Sequence, residues 1–426
     1  MDDATLEPAP ACTPGPSGGP PWQRTLYACW VAQFLSIIGF SFVMPFMPFF
    51  VRYLGVATEA QVAIWSGLLV TASGLMGALF APIWGGLADR YGRKMMVERA
   101  MFGGAVLMSL MGFAASVHQL LILRLLQGAL TGTIVASTTL VAAITPQHRM
   151  GFSLGLLQVS VLMGNTVGPW MGGVVADQWG YRVPFWVSGA LLFLGGVVVL
   201  VAAYEDFCPP EPGKGTNHGL RQAFGRKGLL ALMVSFFMVS MAASFMGPIY
   251  PLLVEEIAGS EGAARTAGML LGIGGLASGI SALGIGLLGD RIGHKSVLVV
   301  CTLGAGMFAA PHYFARTIGQ LVVLRIGMGL SRGGTAPTQN AIIGQAVSAD
   351  TYGRSFGNSR VAAALGMAVG PLLGGFAAAQ FGLRWPFVIM SGLLALSALL
   401  VVRWVRVPKR SPEAGVSEAL QGLPAK

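Results

Sequence analysis

Four arginines lie within long apolar stretches of the chain, where charged side chains are rare: Arg124, Arg325, Arg332 and Arg360. A charge in an apolar segment costs free energy to place, so each position is a functional candidate by default. Because cationic cavity walls attract anions, these side chains favour anionic or zwitterionic ligands. The alternative for Arg124 is a structural role with its head group extended towards water. For Arg360 the alternative is a place at the end of its segment.

Two glycine-containing loops place a carboxylate beside fixed cations. The first reads Gly85-Gly-Leu-Ala-Asp89-Arg90-Tyr-Gly92-Arg93-Lys94, and the second reads Gly286-Leu-Leu-Gly-Asp290-Arg291-Ile-Gly293-His294-Lys295. Glycine allows a tight turn between two helices. A carboxylate between cations suits a charge network that can break and reform. The presence of two copies indicates more than an ordinary cluster of basic residues.

A third pattern is a stripe of glycines in one segment. Residues at i, i+4 and i+8 share one helix face, so a glycine at each position leaves that face bare and lets another helix approach closely. A proline in the same segment removes a backbone hydrogen bond and can kink the helix. The motif consists of Gly155, Gly164, Gly168, Pro169, Gly172 and Gly173.

The elements that must carry these residues are membrane-spanning helices. Hydrophobic residues make up 54% of the chain and charged residues 10%, against about 25% charged residues in an average soluble domain. Backbone polar groups in lipid must be paired within a helix, and about 20 apolar residues cross the bilayer. We predict twelve spans, at about 25–50, 62–84, 95–115, 119–143, 152–176, 184–203, 228–253, 266–288, 296–315, 318–346, 355–379 and 385–405.

Lys and Arg are distributed unevenly between the loops on the two sides of these spans. If both termini are cytoplasmic, the cytoplasmic segments hold 18 of the 27 basic residues, and this bias predicts that orientation. It also accounts for the net charge of +10 without a nucleic-acid partner. The predicted organisation is a disordered cytoplasmic tail (1–21), a six-helix bundle (22–204), a cytoplasmic linker (205–227), a second six-helix bundle (228–407) and a cytoplasmic tail (408–426).

The two predicted bundles are copies of one unit. Asp89 and Arg124 each have an identical counterpart 201 residues later (290 − 89 = 201; 325 − 124 = 201). A duplicated membrane protein usually has a substrate site between its bundles, so the repeat predicts transport. The stripe motif recurs 202 residues later (357 − 155 = 202), at Gly357, Gly366, Gly370, Pro371, Gly374 and Gly375.

The loop after span 2 resembles the signature of the major facilitator superfamily, G-x-L-a-D-r-x-G-r-k, and the resemblance extends over residues 22–408. It implies an all-α membrane fold with 12 transmembrane helices in two six-helix bundles related by pseudo-twofold symmetry. It also implies that the loop is a cytoplasmic latch that stabilises the outward-open state. The second copy departs from the pattern at His294, which implies a weaker latch. The latch residues are Asp89, Arg90, Gly92, Arg93, Asp290 and Arg291.

Three further motifs narrow the resemblance. The stripe motif in span 5 is similar to the antiporter signature of drug exporters, which is rare in importers of this superfamily. Span 1 contains Gly39-x5-Pro45-Phe-Met-Pro48 and span 4 contains Leu121-x2-Arg124-x2-Gln127-Gly128. Both are similar to motifs of the twelve-span drug/proton antiporters. The resemblance therefore implies a bacterial multidrug efflux exporter.

Proton coupling is where the residues and the resemblance disagree. A proton antiporter normally carries a carboxylate within a span, yet none of the 17 acids lies in the middle of one. Glu98 lies near the cytoplasmic end of span 3 and Asp177 near the outer end of span 5. These two are the coupling candidates, because their spans precede and follow the span of Arg124 in the chain.

Other side chains in the spans are candidates for substrate recognition. Methionine adapts to varied shapes, and aromatic rings stack on planar or cationic molecules. Amides could orient a substrate, although most such residues in any span only pack or face lipid. The candidates are Phe34, Gln158, Phe237, Met241, Phe245, Gln339 and Asn340.

We therefore expect a monomeric efflux transporter of amphipathic small molecules in the inner membrane. It would work by alternating access in exchange for protons, without a cofactor or metal. The alternatives are a lipid or glycolipid translocase on the same fold and a facilitator that is not coupled to protons. A non-transporting receptor would need an additional soluble domain. An enzyme is disfavoured, because no polar catalytic constellation occurs outside the predicted spans.

Overall fold

The computed structural model describes residues 22–206, 227–346 and 349–405 of the chain. The predicted tails at 1–21 and 408–426 and most of the predicted linker at 205–227 lie outside the described residues. The described part is helical and contains no strand. Its α-helices are α1 (Trp22–Phe42), α2 (Met47–Tyr53), α3 (Glu59–Tyr91), α4 (Arg93–Met111), α5 (Val117–Leu130), α6 (Thr133–Ile144), α7 (Met150–Trp179), α8 (Val183–Ala202), α9 (Lys227–Phe245), α10 (Tyr250–Ala258), α11 (Ala263–Ile292), α12 (His294–Ala309), α13 (Ile318–Arg332), α14 (Thr335–Ala346), α15 (Ala349–Phe381) and α16 (Trp385–Trp404).

Helices occupy all twelve predicted spans. Nine helical segments of the described chain are long and apolar enough to cross a membrane by length and composition alone. The other three predicted spans correspond to α4, to α11 and to the pair α13 and α14. The predicted all-α, multi-pass membrane protein is confirmed.

Four of the twelve predicted spans each consist of two helices separated by a short break. Span 1 consists of α1 and α2, span 4 of α5 and α6, span 7 of α9 and α10, and span 10 of α13 and α14. The broken spans recur every third span along the chain. Each six-span half therefore repeats a three-span pattern twice, as in transporters whose halves contain nested repeats.

Proline interrupts spans 1 and 7. Span 1 has Pro45 between its two helices and Pro48 in the first turn of α2, and span 7 has Pro248 and Pro251 in the same places. Proline has no N–H to donate to the preceding turn, and it is tolerated in the first turn of a new helix. The chain therefore ends one helix and starts another at each site.

Glycine interrupts spans 4 and 10. Gly132, between α5 and α6, has φ of +143°, a conformation that L side chains rarely adopt. Gly333 and Gly334 lie at the corresponding place between α13 and α14. No side chain caps the N-terminus of α6. The first amides of that half-helix consequently remain available for other acceptors.

Equivalent tertiary contacts support the predicted duplication. The Lys94 ammonium donates a hydrogen bond to the carbonyl oxygen of Leu200 at 3.1 Å. Lys295, the counterpart of Lys94, donates to the carbonyl oxygen of Val402 at 2.9 Å. In each half a lysine after the glycine-containing loop therefore connects the third span of that half to its sixth span.

The described chain forms two compact units. The first contains residues 22–206 together with Gly247–Leu276 and Pro371–Leu383, and the second contains the rest of the described chain. Two segments from the second half of the sequence thus belong to the first unit. The core of the first unit includes Phe46, Phe50 and Phe185.

Candidate functional site

The glycine stripe of α7 lies directly against α1. A Cβ atom on Gly164 would lie 2.7 Å from Ile37 Cβ. At Gly168 a Cβ would overlap the hydroxyl of Ser41, and at Gly172 it would overlap the backbone of α1. Each position of the stripe therefore excludes a side chain, and α7 lies at close approach to α1.

The other residues of the motif behave differently. Gly155 is exposed and has open space where a Cβ would be. A Cβ on Gly173 would overlap the backbone of Ala264 at the start of α11. The α7 helix continues through Pro169 without interruption.

A second glycine stripe, which was not predicted from the sequence, faces the first motif. Gly268 and Gly272 lie four residues apart on α11, and a Cβ on either would overlap the backbone of α7 at Pro169 or Thr166. Their four-residue spacing in the sequence could have predicted this stripe. Helices α7 and α11 are therefore in backbone-to-backbone contact within the first unit.

Two polar contacts accompany this packing. The carboxylate of Asp177, at the end of α7, accepts a hydrogen bond from the backbone N–H of Arg265 at 2.8 Å and so caps α11. Arg52, near the end of α2 and beyond the predicted limit of span 1, forms an ion pair with Glu255 in α10 at 2.8 Å.

A cavity of about 910 Å³ lies within the first unit, among α1, α3, α4, α5 and α6. Its lining extends from Asp89 and Arg93 at the α3–α4 loop to Arg124 in α5. Glycine, alanine and other apolar residues form most of the wall. Among the described lining residues, Asp89 is the one acid, whereas Arg93, Arg99 and Arg124 are cations. The cavity is therefore apolar with a positively charged part.

Arg124 is buried in the wall of this cavity, with 8% of its surface exposed. Its Nη1 donates a hydrogen bond to Gln127 Oε1 at 3.0 Å, one turn along α5. The next residue, Gly128, touches the backbone of Ser73 so closely that a Cβ would overlap it. The Arg-x2-Gln-Gly pattern thus combines a buried charge, its amide partner and a close contact between α5 and α3.

Arg99 and Trp84 form a stacked pair in the same cavity, and neither residue was predicted from the sequence to be functional. The guanidinium carbon of Arg99 lies 3.4 Å from the centroid of the Trp84 ring. The indole N–H of Trp84 donates to the carbonyl oxygen of Ala129 at 2.6 Å, just before the break in span 4. No sequence motif predicts this pair, because it depends on three separate helices.

The predicted latch residues surround the turn between α3 and α4. Gly92 has φ of +97°, which explains the glycine in the motif. Asp89 and Arg90 are exposed, and Asp89 forms no ion pair with any described residue. In the second copy, Arg291 is exposed, and the side chain of Asp290 lies outside the described part.

The four predicted membrane arginines have different environments. Arg325 is buried, and its Nη1 lies 3.2 Å from the sulfur of Met246. Arg332 is partly buried. Arg360 is exposed, so its assignment as a buried charge is wrong. It directly follows the buried Ser359 in α15, and the charge pattern alone could not distinguish the buried face of the helix from the exposed one.

The two coupling candidates are both tied to other groups. Glu98 lies 3.7 Å from the Lys94 ammonium on the same helix. Asp177 caps α11, as described above. Neither acid forms a hydrogen bond or an ion pair with Arg124 in the described part of the chain.

The predicted substrate contacts are dispersed. Phe34 stacks on Trp30, with 5.7 Å between the ring centroids. Gln158 is exposed. Neither Phe34 nor Gln158 is among the described residues that line the cavity. The others belong to the second unit. Of these, Met241, Phe245 and Gln339 are buried, and Phe237 and Asn340 are partly buried.

The sequence matches the model of the Major Facilitator Superfamily twice, over residues 29–263 and 232–425. It is 34% identical over 392 residues to the multidrug resistance protein MdtG of Klebsiella pneumoniae (strain 342), covering 91% of this chain and 95% of that protein. It is also 34% identical over 382 residues to the MdtG protein of Salmonella choleraesuis (strain SC-B67), covering 89% and 94%.

Solved structures agree on the fold. A bacterial homologue of the human lysosomal transporter Spinster, in an inward-facing and occupied conformation, aligns with a TM-score of 0.78 at 15% identity over 93% of this chain and 100% of that chain. The nucleoside transporter NupG aligns with a TM-score of 0.71 at 13% identity over 90% and 100%. Both the family model and the relatives cover most of the sequence, and the chain therefore belongs to the major facilitator superfamily.

Proposed function

We propose that this protein is a secondary transporter that exports amphipathic small molecules. The observation that carries the proposal is the 34% identity, over 91% of the chain, to a multidrug resistance protein. The apolar cavity with cationic side chains in the first unit supports it, since such walls suit molecules with an apolar body and a polar group.

Alternating access is the proposed mechanism. Broken helices in transporters of this type allow half-helices to face a substrate, and four spans are broken here. The latch loop, with Asp89, Arg90, Gly92 and Arg93, would stabilise the conformation in which the cytoplasmic side is closed. The side-chain-free contacts of α7 with α1 and α11 would serve as surfaces on which helices tilt without separating.

We further propose that transport exchanges substrate for protons, in the inner membrane and with both termini cytoplasmic. The Lys/Arg bias of the loops supports the orientation. Asp177 supports coupling, because protonation of its carboxylate would weaken the hydrogen bond to the N-terminus of α11. Proton binding would thereby loosen a contact between α7 and α11.

Uptake into inverted membrane vesicles tests the export proposal. Three amphipaths of different charge serve as probes: ethidium, 2-naphthamide and 2-naphthoate. We expect at least one probe to accumulate above the level in vesicles that lack the protein, and accumulation to rise when the lumen is acidic. If no probe accumulates above that background, export of amphipathic molecules is contradicted.

Asp177→Asn is expected to reduce uptake driven by an acidic lumen by about tenfold while leaving substrate binding intact, because a neutral amide cannot carry the proton. Glu98→Gln is the second candidate, and Glu261→Gln, an exposed acid of the same unit, is the control. Initial rates with and without a pH gradient provide the measurement. Full pH-driven uptake by both single variants and the double variant would exclude both acids. A wild-type protein that shows no pH dependence would be an uncoupled facilitator.

A further inference from the structure

Two arginines that line the cavity of the first unit have side-chain nitrogens without a hydrogen-bond partner among the described residues. Arg124 Nε is buried and has no hydrogen-bond partner in the described part of the chain. Arg99 is partly buried, and its Nε and Nη1 atoms are buried without a hydrogen-bond partner in the same part of the chain. No described acid forms an ion pair with either arginine. A buried charge without a counter-ion is strongly unfavourable, so an anion bound beside these two guanidinium groups would stabilise them.

The break in span 4 adds a further source of positive potential. The first turn of α6, from Thr133 to Ala136, lines the same cavity. No side chain caps this helix end, so its amides can donate to a ligand. A helix of 12 residues carries partial positive charge at its N-terminus and attracts anions there. The N-terminus of α6 and the two arginines therefore both contribute positive potential to the same cavity.

The same elements are held rigidly in place. Ser36 Oγ in α1 donates to Thr133 Oγ1 at 2.9 Å and fixes the start of α6. Gly132 provides the backbone conformation of the break. Trp84 fixes the other side of the break through Ala129 and supports the guanidinium of Arg99. A site built in this way is preorganised, which reduces the entropy cost of binding.

We propose that this cavity is a binding site for the oxyanion of an amphipathic organic acid, such as a carboxylate on a planar ring. Arg124, Arg99 and the first amides of α6 would bind the oxyanion. The apolar wall, which includes Ile37 and Phe40, would cover the ring. The proposal rests on the proposed function, since it names a class of exported substrate and the site in the first half that binds it.

An apolar wall around the charges distinguishes this ligand from a free inorganic anion. A hydrated ion would leave most of the cavity of about 910 Å³ without favourable contacts. The Trp84 ring and the glycine-rich wall instead suit a flat ring next to the oxyanion. An anionic lipid head group has the same oxyanion chemistry, so the experiment must distinguish the two sources.

Calorimetric titration of the full-length protein in phosphatidylcholine nanodiscs tests the site. The probes are 2-naphthoate and its uncharged analogue 2-naphthamide. We expect 2-naphthoate to bind at least about tenfold more tightly, because the neutral amide keeps one acceptor oxygen but loses the negative charge that attracts the two arginines. Equal affinities for the two probes would overturn the proposal.

Variants then locate the site. Arg124→Gln and Arg99→Gln should each lower the affinity for 2-naphthoate by about tenfold and leave 2-naphthamide unaffected. Arg124→Lys retains the charge without the planar donor pair and should have an intermediate effect. Arg149→Gln, an exposed arginine that does not line the cavity, is the control. If both arginine variants retain wild-type preference while their melting temperatures are unchanged, the site is not there.

Two further measurements are needed. One distinguishes a lipid head group from a soluble acid as the ligand, and the other distinguishes failure of the anion site from failure of the export proposal. Competition by phosphatidylglycerol in the nanodiscs would support the oxyanion site and assign it to a lipid head group, whereas its absence supports a soluble acid. Transport of ethidium without charge-selective binding of 2-naphthoate would overturn this site and leave the export proposal intact. Charge-selective binding without transport of any probe would support the site and contradict export.

Discussion

Gly168→Leu is expected to abolish efflux, or to reduce it by well over about tenfold, at unchanged protein abundance. A Cβ at Gly168 would overlap the Ser41 hydroxyl and lie 3.0 Å from the carbonyl oxygen of Ile38. Leucine adds three more carbons to this contact. Forcing atoms into a packed contact costs about 1–3 kcal/mol or more, and here it would separate α7 from α1.

Two leucine variants are matched controls for this result. A Cβ on Gly103 would have its nearest neighbour 3.9 Å away, and Gly155 has open space although it belongs to the same motif. Gly103→Leu and Gly155→Leu should therefore retain most efflux. Rates are compared after abundance is matched by quantitative immunoblotting and folding is checked by gel filtration. Equal rates for the three variants would contradict a steric role of the stripe.

A double-variant cycle tests whether the contact between Gly168 and Ser41 is what makes a side chain at position 168 unfavourable. Gly168→Ala adds a single methyl group, and its main obstacle is the Ser41 hydroxyl. Ser41→Ala removes that oxygen, so the two changes together should recover part of the efflux that Gly168→Ala loses. Contacting residues show such non-additivity, whereas distant ones do not. Strictly additive losses would indicate that the stripe acts through something other than this contact.

Asp89→Asn is expected to reduce efflux by at least about tenfold without destabilising the protein in the conformation described here. The Asp89 side chain is exposed and has no ion-pair partner among the described residues, so asparagine removes no ion pair there. The loss is expected in the conformation in which the latch is closed. Removing one ion pair worth about 1.4 kcal/mol would shift the equilibrium between the two conformations by tenfold.

The matched controls for Asp89→Asn lie on the same helix and in the second copy of the loop. Glu59→Gln neutralises an exposed acid at the other end of α3 and should have little effect. Asp290→Asn should have a smaller effect than Asp89→Asn, because His294 replaces the arginine of the first copy. The measurements are initial efflux rates and melting temperatures at matched abundance. Wild-type rates for Asp89→Asn would exclude the latch.

The sequence was sufficient for features that depend on local pattern. The apolar stretches predicted where helices occur, because lipid forces every backbone group to be paired within its own segment. The spacing of Gly164, Gly168 and Gly172 predicted a close helix contact, since a helix places residues four apart on one face. The position of Gly92 in the loop motif likewise predicted a tight turn.

The breaks in four spans were not predicted, although the sequence contains prolines that could have indicated two of them. Pro45 and Pro248 lie within apolar stretches, and proline in a membrane helix produces either a kink or a complete break. Pro169 illustrates the difficulty, because α7 continues through it. Whether neighbouring helices satisfy the freed backbone groups decides between the two outcomes, and no local pattern contains that information.

What the sequence by itself determined is the membrane class, the duplicated spans and the motifs that identify the family. Only the tertiary structure decided which charges face a common space. Arg99, Trp84 and the start of α6 come from separate spans and meet around one cavity. Arg360, by contrast, lies on the exposed side of its helix. The physical reason is that burial and pairing of a charge depend on the helices packed around it, whereas periodicity describes one helix at a time.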